Sequence, residues 1–100
     1  KAGLTQMSRL AAIELSKFKI RVNIIHPDCV YDTNVWSKKI LQTRAKEYGL
    51  SVKNYKQRNL LKTDVFSSDV AELASFLASS KSEKTTGAQI PVDGGNDRVI

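Results

Sequence analysis

The fold is decided by residues 20–33, which read IRVNIIHPDCVYDT. Residues 20–25 are dominated by β-branched apolar side chains that would point to both faces of a strand. That pattern is typical of a parallel sheet covered on both sides. Pro27 has no backbone N–H, so the strand is predicted to end there. The residues after it form a loop at the carboxyl end of a strand, which is where open α/β sheets bind their ligands.

Helical and extended patterns alternate on either side of this stretch. Apolar residues recur at three- and four-residue steps over residues 2–18, which predicts a helix that is apolar on two sides. Such a helix is expected to be buried on both sides, either in a large core or against another subunit. Three further helices are predicted, at residues 35–48, 51–58 and 67–78. Residues 88–92 are predicted to form a short strand, placed at the edge of a sheet by Pro91, and a turn follows at residues 93–95.

Residues 34–66 are rich in charge and poor in a regular core pattern. Segments of this kind often form lids or specificity loops, so we predict a mobile substrate loop here. Residues 59–66 are predicted to form a loop that Leu60 and Leu61 anchor. Gly49 is predicted to lie just past a helix end, in the left-handed backbone region.

The order of elements indicates an α/β fold with a parallel sheet and right-handed crossovers. Two strands do not make a stable sheet alone, so further strands are expected upstream of this sequence. Lys1 does not resemble a natural start, because no Met precedes a helical pattern that is already running at Leu4. We therefore expect the chain to be a fragment of a larger protein.

The charge of the chain is +6, from 16 Lys and Arg against 10 Asp and Glu. Residues 38–62 hold eight of the basic residues and a single acid, Glu47. Such a patch can attract nucleic acid, a membrane surface or a phosphorylated ligand. Its simpler interpretation is the solvated face of surface helices. Because no aromatic-rich RNA-binding motif and no zinc-finger spacing accompanies it, no nucleic-acid partner is expected.

The remaining composition bounds the compartment. No run of about 18 apolar residues is present, so no membrane span is expected, and no secretion signal opens the chain. The one cysteine, Cys29, rules out an intrachain disulfide and fits a reducing compartment, with the cytoplasm as the default.

Two reactive residue types require an interpretation. His26 is the one histidine, with an ordinary pKa suited to proton transfer, but a structural role is the simpler hypothesis. Cys29 has no His or Asp arrangement beside it that would activate a thiolate, so it is predicted to be a packed thiol. No zinc or calcium ligand spacing is present, so no metal is expected.

Three motifs, in order and over essentially the whole chain, carry a family resemblance. They are Lys1-Ala2-Gly3-Leu4, then Ile20-Arg21-Val22-Asn23 with Pro27 and Thr33, then Thr86-Gly87-Ala88-Gln89 leading to Val92-Asp93-Gly94-Gly95. They resemble the lysine end of the Tyr-x-x-x-Lys motif, the I-R-V-N-x-x-x-P strand and the last strand of the short-chain dehydrogenases/reductases. The resemblance implies the C-terminal part of a Rossmann-like, doubly wound parallel sheet.

The resemblance also implies roles for particular residues. Lys1 would be the catalytic lysine, holding the nicotinamide ribose and lowering the pKa of a tyrosine one helical turn earlier. The loop with Pro27, Asp28 and Val30 would bind the nicotinamide of NAD or NADP, with the Val30 backbone near its carboxamide. The Thr33 hydroxyl would bond that carboxamide or a phosphate. The family has glycine where this chain has Asp28, which is expected to be a turn former, a loop cap or a substrate contact.

The substrate implied is a small alcohol or aldehyde. Residues 26–32, 45–61 and 92–98 further resemble the bifunctional rhamnulose-1-phosphate aldolase/short-chain dehydrogenases of rhamnose breakdown, whose dehydrogenase half would oxidise lactaldehyde. A homo-oligomer through helix 2–18 and edge strand 88–92 is expected. These 100 residues alone are predicted to be inert, and a non-catalytic oligomerisation module is the alternative function.

Overall fold

The computed structural model describes residues 2–96 and divides the chain into two compact units. The first comprises residues 1–26 and 71–90, and the second comprises residues 27–70 and 91–100. Helix α1 spans Ala2–Leu15, strand β1 Ile24–Pro27, helix α2 Lys38–Glu47, helix α3 Val52–Lys56, helix α4 Ser67–Ala78 and strand β2 Gln89–Val92. Single 3-10 turns follow α1 at Ser16–Phe18 and α4 at Ser80–Ser82.

The predicted α/β class is confirmed, since β1 and β2 pair in parallel as a two-stranded sheet. The pairing keeps one register: the N–H of Ile24 donates to the carbonyl of Ala88 at 2.9 Å, and that of Asp28 to the carbonyl of Val92 at 3.1 Å. Both strands advance by four residues between these two bonds, as parallel strands must.

Strand β1 begins four residues later than predicted, at Ile24 instead of Ile20. Before Ile24, the Asn23 side chain bonds the segment that leads into β2. Its Nδ2 donates to the Thr85 carbonyl at 3.1 Å, and its Oδ1 accepts from the N–H of Ala88 at 3.0 Å. Side-chain bonds of this kind satisfy the backbone without regular strand geometry. Asn23 therefore supplies the hydrogen bonding at this end of the strand.

The prediction that both faces of this strand are covered is wrong for the described residues. Ile20 is 48% exposed, and Ile24 and Ile25 are only half-buried. A strand neighbour pairs with an edge of β1 and leaves its faces open, and no helix within residues 2–96 packs extensively on either face.

The helix predicted over residues 35–48 begins at Lys38, because the Ser37 hydroxyl accepts from the N–H of Ile40 and caps the first turn. The same device starts α3, where Ser51 accepts from the N–H of Asn54 as predicted. Gly49 follows α2 with φ +67°, which confirms its predicted left-handed conformation.

The core of the second unit is built largely by the segment that showed no regular core pattern. Its buried members are Cys29, Tyr31, Leu41, Ala45, Tyr55 and Val65. Four of these six lie within residues 34–66, so the charged segment contributes an apolar interior as well as a charged exterior. Whether it also moves as a substrate loop stays a prediction.

The prediction that Leu60 and Leu61 anchor that segment is wrong. Leu60 and Leu61 are 61% and 73% exposed, whereas the neighbouring Asn59 is completely buried. Asn59 Nδ2 donates to the Thr63 carbonyl at 2.8 Å, and its Oδ1 accepts from the N–H of Thr63 at 3.2 Å. The Asn59 amide closes the loop because its NH₂ group and its oxygen bond the carbonyl and the N–H of Thr63. A leucine side chain has no polar atoms and cannot form these hydrogen bonds.

In the first unit, α1 keeps the apolar surface predicted on its two sides. Large side chains on it stay exposed to solvent, among them Leu4, Met7, Leu10 and Ile13.

Within the described residues, no helix is long and apolar enough to cross a bilayer.

Candidate functional site

The site predicted by the sequence is the loop that follows β1. Asp28 still pairs with β2 through its N–H, and two residues later Val30 forms a parallel bridge with Val65. The loop is therefore held by backbone pairing at both ends. Pro27, Asp28 and Val30 line one small cavity of about 190 Å³, together with Cys29, Tyr31 and Trp36.

Asp28 caps the loop with its carboxylate. Oδ1 accepts from the N–H of Cys29 at 2.8 Å, and Oδ2 accepts from the side-chain amide of Asn96 at 2.8 Å. Both oxygens are bonded, so of the three roles open for Asp28, the loop cap is the one that the geometry favours.

Cys29 adopts a left-handed backbone, with φ +61°, while being 3% exposed. A non-glycine residue in this region is uncommon and carries strain. The left-handed residue thus stands one position after the place where the family has its glycine. Burial, with the nearby Asp28 charge adding to it, raises the pKa of the Cys29 thiol, so the thiol stays protonated at neutral pH. The predicted packed, unreactive thiol agrees with this environment.

Thr33, another predicted cofactor residue, does not line that cavity. Thr33 is exposed and its carbonyl accepts from the N–H of Trp36 at 3.1 Å. Its hydroxyl makes no hydrogen bond to any of residues 2–96. Lys1, predicted as the catalytic lysine, lies outside the described residues, as do residues 97–98 of the narrower resemblance.

Arg58 lies in a cluster of aromatic side chains that includes Tyr31, a residue of the loop after β1. Arg58 Nη2 donates to the Tyr31 hydroxyl at 3.2 Å, and its Nε donates to the Tyr55 carbonyl at 2.9 Å. Its guanidinium lies 4.1 Å from the ring centre of Tyr55 and 4.6 Å from that of Tyr48. Trp36 packs edge-on against Tyr31, with ring centres 4.8 Å apart.

This cluster was not predicted, because Arg58 was grouped with the solvated basic residues. The sequence signal that could have revealed it is the presence of Tyr48 and Tyr55 a few residues before Arg58. The planar guanidinium of an arginine stacks on aromatic rings better than the ammonium group of a lysine does. Burial raises the pKa of the Tyr31 phenol well above its ordinary value, so Tyr31 acts as a neutral hydrogen-bonding group and not as a base.

Asp32 has a structural task nearby. Its carboxylate accepts from the N–H of Ser67 at 3.0 Å and from the Ser67 hydroxyl at 2.9 Å. Asp69 completes this end of α4 by accepting from the N–H of Phe66 at 2.8 Å. Negative groups are favoured at a helix N-terminus, so Asp32 joins the loop to the start of α4.

A larger open groove of about 620 Å³ lies elsewhere in the second unit and contains none of the predicted site residues. Its lining is mostly apolar and comes from residues 60–65 and 91–95, with Asp69 at one side. Three carboxylates border it, and two of them hold backbone N–H groups: Asp69 accepts from Phe66 and Asp93 accepts from Gly95.

Two further predictions concern reactive groups. In the first unit, His26 Nε2 lies 3.3 Å from the side-chain amide of Gln89, a contact that suits the structural role expected for it. Among the described residues, no group of three or more His, Cys, Asp or Glu side chains could hold a metal ion.

Comparison with known proteins identifies the family. A family profile described as "Enoyl-(Acyl carrier protein) reductase" matches residues 1–97. The protein named "Uncharacterized oxidoreductase YuxG" of Bacillus subtilis is 40% identical over 100 residues, which cover 95% of this chain and 14% of that protein. The chain belongs to the short-chain dehydrogenase/reductase family.

Solved structures agree with this assignment. A short-chain dehydrogenase family protein from Francisella tularensis superposes with a TM-score of 0.79 at 34% identity, covering 96% of this chain and 40% of that one. L-sorbose reductase from Gluconobacter frateurii, solved with NADPH and L-sorbose, gives 0.77 at 29% identity, covering 99% and 39%. The chain therefore spans well under half the length of each of these relatives.

Proposed function

We propose that this chain is the C-terminal part of an NAD- or NADP-dependent oxidoreductase that transfers hydride between nicotinamide and a small alcohol or aldehyde. The observation that carries the proposal is the loop after β1. It lies at the carboxyl end of a strand, in a chain of the short-chain dehydrogenase/reductase family. When bound, the nicotinamide supplies the hydride chemistry, and the chain supplies binding and orientation.

The residues of the loop fit such a cofactor. Pro27 and Val30 provide an apolar wall beside the cavity, against which an aromatic ring can pack. The Thr33 hydroxyl is exposed and, within residues 2–96, unbonded, so it is available to a carboxamide or a phosphate. Lys1 is assigned to the ribose and to the catalytic tyrosine by its position in the family motif alone.

Within this class we propose the narrower function of lactaldehyde oxidation in a fused aldolase/dehydrogenase of rhamnose breakdown. One comparison supports the fusion. A match of 100 residues that covers 14% of the Bacillus relative makes that protein about 700 residues long. The match to the Francisella protein spans 96% of the present chain and 40% of the Francisella chain, which makes the Francisella chain about 240 residues long. The Bacillus protein thus has room for a second catalytic half beside a dehydrogenase domain.

We also propose that the protein assembles as a homo-oligomer through helix 2–18 and edge strand 88–92. The exposed apolar side chains of α1, such as Leu4, Met7 and Ile13, support this, because contiguous apolar surface favours association. A non-catalytic oligomerisation module has no support beyond these same surfaces. The buried thiol Cys29 suits the reducing cytoplasm that we propose as the compartment.

The first prediction tests this function in the full-length protein. With NAD or NADP and lactaldehyde, we expect formation of reduced nicotinamide, measured by its absorbance. Lys1→Ala should lower turnover by about 100-fold or more, since a group that tunes the acid–base tyrosine contributes on that scale. Lys84→Ala is the matched control, because Lys84 is exposed and pairs only with the neighbouring Glu83.

Full turnover by Lys1→Ala would remove the catalytic assignment. Turnover of other short alcohols without lactaldehyde would keep the dehydrogenase and reject the narrower substrate. Residues 1–100 alone are expected to give no turnover above background.

A further inference from the structure

The turn after β2 is held tightly in the second unit. The N–H of Gly95 donates to Asp93 Oδ1 at 2.8 Å, and the N–H of Asn96 donates to the Asp93 carbonyl at 3.1 Å. The carbonyl of Gly94 accepts from the N–H of Leu61 at 3.0 Å. A Cβ on Gly94 would lie 2.5 Å from the Asn59 side chain, so no gap separates the turn from the buried Asn59. The turn is therefore a rigid support.

The loop after β1 is fastened to this support by one side-chain hydrogen bond. Asn96 Nδ2 donates to Asp28 Oδ2, while the other oxygen of Asp28 fixes the N–H of Cys29. Asp28 thus ties the strained residue Cys29 on one side and the turn on the other. The backbone of Val30, which follows at once, is the part of the loop that the proposed function assigns to the nicotinamide carboxamide.

We infer that Asp28 and Asn96 are a pair of positioning residues that hold the nicotinamide-side loop on the Asp93–Asn96 turn. This inference rests on the proposed function and refines it, since Asp28 then orients the loop without touching the cofactor. Loss of the pair lets the loop depart from its bound shape, and that cost appears in cofactor affinity.

A reciprocal exchange tests the pair in the full-length protein. Asp28→Asn keeps an oxygen for the Cys29 N–H and turns its NH₂ group toward Asn96, whose amide can rotate to accept it, so a neutral hydrogen bond replaces the charge-assisted one. Asn96→Asp places two carboxylates together. The double exchange restores one donor and one acceptor with the direction of the bond reversed, so it separates the bond from the identity of either residue.

Binding of NADH and NADPH is measured by nucleotide fluorescence, together with steady-state kinetics. Each single variant should weaken cofactor binding and raise the cofactor KM by about 3- to 10-fold, which is the range of the typical net contribution of one hydrogen bond. Because the pair does not touch the reacting atoms, kcat should stay within about twofold. The double variant should regain affinity to within about threefold of the native protein.

The controls separate this from a structural effect and from failure of the function. Asn54→Ala removes an exposed amide on α3 and should change nothing. Single variants that lower Tm without weakening cofactor binding would overturn the inference, as would a double variant no better than the product of the two singles. If the native protein binds neither nucleotide, the proposed function falls first, and the positioning role falls with it.

Discussion

Two glycines with nearly the same backbone have different reasons to be glycine. Gly49 has φ +67° and Gly94 has φ +64°. No atom lies within 4 Å of a Cβ built on Gly49, whereas a Cβ on Gly94 would overlap the Asn59 side chain at 2.5 Å. Gly49 is required only for its left-handed backbone, whereas Gly94 is required also because a Cβ there would collide with Asn59.

The second prediction follows from this pair. Gly49→Ala should lower the free energy of unfolding by about 1–2 kcal/mol, the cost of a left-handed alanine. Gly94→Ala should cost that amount plus the displacement of a buried, fully bonded amide, about 3 kcal/mol or more in total. Urea denaturation of the full-length protein gives both values. Equal losses would mean that Asn59 yields without cost.

At the level of residues, glycine-rich turns were predictable but their contacts were not. The Asp93-Gly94-Gly95 turn follows from local backbone preferences. That Asn59 and not Leu60 or Leu61 would be buried depends on which side chain meets Gly94. Partners separated by some 35 residues leave no local pattern.

Among the elements, helix α4 begins under the control of a residue from another part of the chain. A helix was predicted from residue 67, and α4 does start there. The carboxylate that binds the Ser67 N–H and hydroxyl comes from Asp32, which lies 35 positions earlier.

The third prediction concerns this cap. Asp32→Ala should destabilise the protein by about 1 kcal/mol, because a helix N-cap is worth that amount. Asp32→Asn keeps one acceptor oxygen and should recover about half or more of the loss, at the expense of the charge–dipole part. Thermal unfolding measures both variants. An Asp32→Ala protein as stable as the native one would show that Asp69 suffices as the cap.

The extent of β1 was predicted less well than its existence. Its apolar run and its end at Pro27 follow from residue types. Its start at Ile24 does not, because the Asn23 amide competes successfully for the partners that a ladder would use.

On the scale of the whole molecule, two buried acids, Cys29 and Tyr31, link stability to pH. Burial raises the pKa of both groups. Each therefore releases its proton more readily in the unfolded chain, which binds fewer protons than the folded one at high pH. Stability must then fall as pH rises.

The fourth prediction is the shape of that dependence. The contribution of these groups should be complete below the ordinary thiol value of 9.0 and be lost progressively as pH rises above it, with the phenol following above 10.0. Urea denaturation of the full-length protein across this range measures the loss. Cys29→Ala should remove the earlier part of the decline. An equally steep decline in that variant would assign the effect to other groups.

Local chemistry alone was enough for the class of fold, the family motifs, the start of α3 after Ser51 and the stop at Pro27, because each depends on residues near one another in the chain. Tertiary structure alone decided the roles of Asp28, Arg58 and Asn59. A carboxylate, a guanidinium and an amide can each face water or be buried with partners, and only the fold brings Asn96, Tyr31 and Gly94 within reach of them. Polar side chains take their meaning from distant partners, whereas apolar periodicity takes its meaning from neighbours in sequence.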